Sequence, residues 1–149
     1  MDLSQITFSD IEEKDCNKLA ELDKECFSEP WSEKLFFEDT KNPLAHYVVA
    51  RINGEAAGYC GMYSVAEEGQ ITNIAVAKRY RRNKIAEKML MMMIDKAKCL
   101  KLTVMSLEVR ETNNPAIKLY EKLGFSRVGY RKNYYINPTE GAVLMDLVL

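Results

Sequence analysis

Three features of this sequence could carry chemistry: the acid Glu108, the phenol Tyr120 and a cationic turn between Lys78 and Lys84. Glu108 lies near the end of a strand-like run, Leu102 to Val109. There Met105, Leu107 and Val109 share one face, and Val104, Ser106, Glu108 and Arg110 share the other. Such a strand end is where ligands bind in open α/β sheets. A carboxylate partly removed from water holds its proton more tightly and can act as a general base. It can equally be half of a structural ion pair with Arg110. Tyr120 sits at helical spacing from Ile117 and Leu123, which makes it a core residue whose hydroxyl needs a partner if buried. Lys78, Arg79, Arg81, Arg82 and Lys84 place five positive charges in seven residues. Unpaired N–H groups and a partial positive charge mark a helix start, so cations just ahead of one are repelled unless an anion lies between. Either a phosphate-bearing ligand sits there or the turn is solvated surface. The spacing is neither the phosphate loop ending in Gly-Lys-Ser/Thr nor G-x-G-x-x-G.

Positioning these residues requires a strand before the turn and a helix after it. Ile71 to Val76 is short, apolar and β-branched, as an interior strand is; Ala86, Leu90, Met93 and Ala97 then recur at helical spacing. Upstream, Ile6 and Phe8 alternate with polar residues as a first strand does. Asp15 is placed to cap a helix with Cys16, Leu19, Ala20 and Phe27 inward and Glu21, Lys24 and Glu25 outward. Pro30 is expected to end that helix, and Ser32 to cap a second one carrying Leu35, Phe36 and Phe37. Trp31, between the two, is either a core plug or a ligand contact. Ala45 to Ile52 alternates and runs into Asn53-Gly54, a hairpin signal that makes the second and third strands antiparallel. His46, alone on its strand, reads as structural, although its near-neutral titration also suits catalysis. Gly58 and Gly61 in the third strand, Ala57 to Val65, allow a bulge or a close backbone approach. Glu67 to Gly69 turns the chain into the strand at Ile71, completing a three-stranded antiparallel meander. Because a helix intervenes, Leu102 to Val109 is expected to run parallel to Ile71 to Val76. Asn114 and Pro115 suit the cap and first position of another helix, which Gly124 closes. Two last strands, Phe125 to Tyr130 and Ala142 to Leu149, flank an aromatic loop at Arg131 to Tyr135.

The 149 residues suit one domain, 1–149, large enough to bury a core, and no repeat or linker divides them. A net charge of −1 argues against general nucleic-acid binding, and a basic cluster in so balanced a chain suggests a small anionic ligand instead. The four cysteines form no C-x-x-C pair and have one histidine for company. That composition disfavours disulfides and metal and suits the reducing cytoplasm. No apolar run is long enough to span a bilayer.

The run LEVRETNNPAIKLYEKLGF, Leu107 to Phe125, resembles the signature of the GNAT superfamily of acetyl-coenzyme A dependent N-acetyltransferases. Arg81 to Ala86 resembles its R-x-x-G-x-G/A turn, with Lys84 where the family has Gly. With FSEPWSEKLF at Phe27 to Phe36, NIAV at Asn73 to Val76 and RKNYY at Arg131 to Tyr135, the chain is most similar to the RimI branch. Those bacterial enzymes acetylate the N-terminal alanine of a small-subunit ribosomal protein. The resemblance implies an α/β GNAT fold: about four helices and a mixed, mostly antiparallel sheet of about seven strands, the fourth and fifth parallel and splayed apart. It implies acetyl-CoA as acetyl donor, with the arm against Ile74, Ala75 and Val76 and the pyrophosphate at Arg81, Arg82, Asn83, Lys84, Ile85, Ala86 and Glu87. Asn113 corresponds to a further cofactor contact, Glu108 to the base and Tyr120 to the proton donor. Trp31, Tyr134 and Tyr135 are candidates for the acceptor side. The implied partner is a protein N-terminus, that of a ribosomal protein, with no metal, no direct nucleic-acid contact and no membrane expected; a small amine, or acyl-CoA binding without catalysis, are the alternatives. A left-handed backbone at Lys84 would cost about 1–2 kcal/mol, whereas a negative φ would cost nothing and leave the ammonium to pair with phosphate.

Overall fold

The computed structural model describes residues 5–149; the first four positions of the expected domain lie outside the described residues. Seven strands among them form one sheet: β1 (Ile6–Ser9), β2 (Ala45–Ile52), β3 (Glu55–Val65), β4 (Glu68–Val76), β5 (Val104–Arg110), β6 (Ser126–Tyr135) and β7 (Glu140–Val148), in the order β1-β2-β3-β4-β5-β7-β6. The helices are α1 (Cys16–Cys26), α2 (Glu33–Thr40), α3 (Ile85–Cys99) and α4 (Asn114–Lys122). Among the described residues only β4 and β5 pair in parallel. Alternation along β2 and β3 divides the core between the two faces of the sheet. Tyr47, Val49 and Tyr59 pack with Leu19 and Phe36 of α1 and α2. Val48, Ala50, Cys60 and Met62 pack with Ile85, Met89 and Met93 of α3 and with Ile117 and Tyr120 of α4.

The parallel pair is short. Glu68, Gly69 and Gln70 face Val104, Met105 and Ser106, and there the pairing ends, although both strands continue. The cause lies on the other edge of β4. Gly61 pairs with Asn73 and Met62 with Ile71, so Thr72 is an extra residue. Such a bulge bends and twists its strand, here turning β4 away from β5. Gly61 makes room for it, since a Cβ at that position would lie 2.6 Å from Thr72 Oγ1.

Several local expectations shift. α1 ends at Cys26, four residues before Pro30: Phe27 is extended at φ −131°, and the buried carboxylate of Asp23 takes the Trp31 N–H at 3.0 Å, drawing the chain off the helix axis. Ser32 does cap α2, accepting from the Leu35 N–H at 3.2 Å, but only Phe36 of the three expected apolar residues is buried. The cap of α4 is Asn113, not Asn114. The stripe of α3 that meets the core is Ile85, Met89, Leu90, Met93 and Ala97, leaving Ala86 half-buried. β4 starts at Glu68, inside the expected turn, which contracts to Ala66 and Glu67 with Ala66 left-handed. Arg131 to Tyr135 is strand rather than loop; β6 is an outer strand with nearly every residue exposed, so burial leaves no alternating pattern to read there. His46 bonds Ser64 Oγ at 2.8 Å, in keeping with the structural reading.

Asp15 stands at the start of α1 without capping it. Its carboxylate accepts instead from the Glu12 N–H and from both terminal nitrogens of Arg51. The two residues are 3% and 6% exposed. Burial alone would push the Asp15 carboxyl up, but the Arg51 guanidinium and the Glu12 N–H together hold it below its ordinary value of 3.8. A depressed carboxylate stabilises the fold above the unfolded value and ceases to do so as the pH falls through the folded one. Asp15→Asn, which strands a buried guanidinium, should therefore cost about 3–5 kcal/mol near neutrality. Its melting temperature should also vary less with acidification than the parent's; identical acid profiles for the two would refute the assignment.

Candidate active site

Where β4 and β5 part, a cleft of about 1230 Å³ opens. Its walls are Ile71 to Val76 of β4, Leu107 to Arg110 of β5, the start of α3, one side of α4, the segment joining α1 to α2, and the end of β6. Glu108 and Tyr120 face this same cleft.

Backbone alternation decides what β4 offers. The Ala77 N–H donates to Ala57 O at 2.9 Å, so residues two apart along the ladder, Ala75 among them, face β3. Ile74 and Val76 consequently turn their N–H and C=O groups towards the cleft. Of the three residues expected to meet the cofactor arm, Ala75 lines the cleft with its backbone already committed. The Val76 carbonyl accepts from Arg81 Nε at 3.0 Å, leaving its N–H for a ligand.

The turn that follows is built tightly. Arg81 spends its guanidinium inward, on Val76 O and on Cys26 Sγ at 3.2 Å. Asn83 ties the turn together, its side-chain amide donating to Tyr80 O at 3.0 Å and to Arg81 O at 3.1 Å. Arg82 and Lys84 both adopt positive φ, +67° and +59°. Lys84 is the residue from which α3 departs, so the strain that Gly would avoid is present. Lys84→Gly should raise stability by about 1 kcal/mol, the left-handed penalty less the extra chain entropy of Gly. Thermal or urea unfolding checks this, and a less stable variant would contradict it. Beyond Lys84, the N–H groups of Ile85, Ala86 and Glu87 begin α3 without helical acceptors. They border the cleft and can receive a phosphate. Glu87 pairs with Lys122 of α4, which holds its carboxyl below the ordinary range.

Across the cleft, Asn113 Oδ1 accepts from the Ala116 N–H at 3.3 Å, so that oxygen is already engaged. The Tyr120 ring packs on Phe125 with centroids 5.8 Å apart. Its hydroxyl bonds to no described residue, yet no fully buried side-chain oxygen or nitrogen among the described residues lacks a partner. The hydroxyl therefore keeps access to the cleft. Burial, with smaller contributions from Cys60 and Tyr135, pushes its pKa well above the ordinary phenol value, so the group stays protonated.

Glu108 departs from expectation in its surroundings. It is exposed rather than partly buried, and no hydrogen bond or ion pair among the described residues engages its carboxylate. The alternative pairing with Arg110 does not form either, because that guanidinium goes to Glu140, Pro138 O, Ile136 O and Ser28 Oγ. Near Glu108 stand Tyr135, whose pKa is pushed up to about 12 by burial first and by the charges of Tyr134 and Glu108 next, and Tyr134, edge-on to it at 5.0 Å. Trp31 packs on Phe36 and Tyr63 at 5.6 and 6.3 Å, and its residue also borders the cleft. The sequence marked none of Cys26, Phe27, Ser28, Glu29 and Arg110 as a wall residue, Phe27 reading only as the inward face of the first helix. Proximity of the first four to Trp31 was the available signal.

A family model described as Acetyltransferase (GNAT) family matches residues 16–125. The chain is 38% identical over 133 residues to a provisionally named ribosomal protein bS18-alanine N-acetyltransferase of Bacillus subtilis, covering 89% of this chain and 88% of that protein. It is 32% identical over 145 residues to the ribosomal protein bS18-alanine N-acetyltransferase of Escherichia coli K12, covering 95% and 96%. The crystal structure of the ribosomal-protein-S18-alanine N-acetyltransferase from Escherichia coli superimposes with a TM-score of 0.88 at 31% identity, over 96% of this chain and 93% of that one.

Proposed function

The chain belongs to the GNAT family of acetyltransferases, and from that premise we propose that it acetylates the N-terminal α-amino group of a protein, the alanine of a bS18-type ribosomal protein being the acceptor. The observation that carries this reading is the cleft between the parted strands, with an unpaired carboxylate and a protonated phenol on its walls. Near-complete overlap with relatives named for that acceptor supports the substrate class. We assign the whole chain, 1–149, to one catalytic domain working in the cytoplasm.

Acetyl-CoA, when bound, supplies the acetyl group as an activated thioester. The outward N–H and C=O groups of Ile74 suit an amide-bearing arm, which can pair with them as an added strand would. The free N–H groups at the start of α3 suit its phosphates. Glu108, exposed and unpaired, is free to take a proton from the acceptor amine, directly or through water. That step is needed because an α-amino group of pKa about 8 is mostly protonated at neutral pH. The Val76 N–H, which no backbone partner on β3 uses, suits stabilisation of negative charge on the acetyl oxygen. Tyr120 holds a proton for the departing sulfur. Both substrates share one cleft, which lowers the entropic part of the barrier.

Incubation with acetyl-CoA and either a synthetic peptide beginning with the bS18 alanine or a polyamine tests the proposal by mass spectrometry. A gain of one acetyl group on the peptide's α-amine is expected. Modification of the polyamine alone would replace the protein acceptor with a small amine, and CoA binding without any transfer would remove catalysis from the reading.

A further inference from the structure

Arg110 closes β5 two residues after Glu108, and its guanidinium is divided between two distant segments. Nη1 donates to Pro138 O at 2.9 Å and to Glu140 Oε1 at 3.0 Å; Nη2 donates to Ile136 O at 2.9 Å and to Ser28 Oγ at 3.2 Å. The Tyr135 ring lies against its plane with 4.5 Å to the centroid. Ser28 Oγ in turn donates to Ile136 O at 3.3 Å, across 108 positions of sequence. Glu140 is steadied by the Thr112 hydroxyl at 2.8 Å. One planar cation thus joins the α1–α2 segment to the connection between β6 and β7. Phe27 to Glu29 and Trp31 on one side, and Tyr134 and Tyr135 on the other, wall the cleft beyond Glu108.

Segments 27–31 and 136–139 have no helix or strand of their own. Loops of that kind open locally unless something outside them supplies partners. Five donors in a rigid fork can satisfy two carbonyls, a hydroxyl and a carboxylate at once, which an ammonium cannot. We propose that Arg110 is a positioning residue that locks these two segments into a single rigid wall against which the first residues of the acceptor chain are held. The inference rests on the acceptor being a peptide, and it assigns Arg110 no part in proton transfer or in cofactor binding.

The test compares the intact protein with Arg110→Ala, Arg110→Lys and Ser28→Ala, by hydrogen exchange and by acceptor kinetics. Arg110→Ala is expected to speed amide exchange about tenfold in 27–31 and 136–140 together, and to leave 82–87 unchanged. KM for the alanine-starting peptide should rise about tenfold, with a smaller change in kcat and an unchanged CoA dissociation constant by calorimetry. Arg110→Lys should fail to restore either property, since the charge survives and the fork does not. Ser28→Ala, which removes one anchor at an exposed site, should loosen both segments by about threefold and decides the matter if the Arg110 variants do not fold. Loosening of one segment only, a wild-type KM in Arg110→Ala, or rescue by Lys would overturn the proposal. Were the parent protein to acetylate no peptide, the exchange measurements alone would still decide whether the two segments are coupled.

Discussion

Glu108→Gln is expected to lower kcat/KM for a peptide acceptor at neutral pH by about 10²–10³-fold, the usual contribution of a positioned general base. The substitution keeps the size of the side chain and removes the one function the proposed reaction asks of it. Without the carboxylate, only acceptor molecules that have already lost their proton can react. The residual rate should therefore climb with pH towards the ordinary α-amine pKa of about 8 and level off above it. CoA affinity should be unaffected, because the turn and the first residues of α3 that would take the phosphates lie on a different wall of the cleft. Little effect on folding is expected either, since Glu108 is exposed and bonds to no described residue. An unchanged pH profile would transfer the role of base to another group or to bulk water.

Tyr120→Phe is the second large effect expected, a loss of about 10²-fold in kcat. Here fold and function separate cleanly. The ring is part of the core with Ile117 and Phe125, and phenylalanine preserves that packing. The hydroxyl donates to no described residue, so its removal strands no partner, and the melting temperature should move by no more than about two degrees. Its raised pKa has a definite sign: the phenol remains a proton donor throughout the pH range in which the enzyme would work. The defect should shrink with a donor whose leaving thiol is more acidic and needs less help to depart. Equal defects with both donors would assign Tyr120 to packing alone.

Much of the scaffold was legible because its signals are local. Ser32 as a cap, Asn53-Gly54 as a hairpin turn with φ of +53° and +82°, and Gly124 at φ +104° after α4 each follow from the backbone preferences of a few residues. The expectations that failed depended on partners far along the chain. Asp15 read as a cap because nothing nearby announces Arg51, 36 positions away. Arg131 to Tyr135 read as a loop because an outer strand has no buried face to impose alternation.

By itself the sequence determined the order of strands and helices, the family, and the two side chains that the proposed chemistry needs, since residue type and periodicity encode these directly. Only the tertiary structure decided that β4 leaves β5 after Gln70, because that depends on how Thr72 is accommodated opposite Gly61 on a third strand. It also decided that Glu108 stands exposed and unpaired while Arg110 is drawn off to Ser28 and the β6–β7 connection. A side chain's type is written in the chain, but its neighbours are chosen by packing between segments that meet only when the sheet is complete.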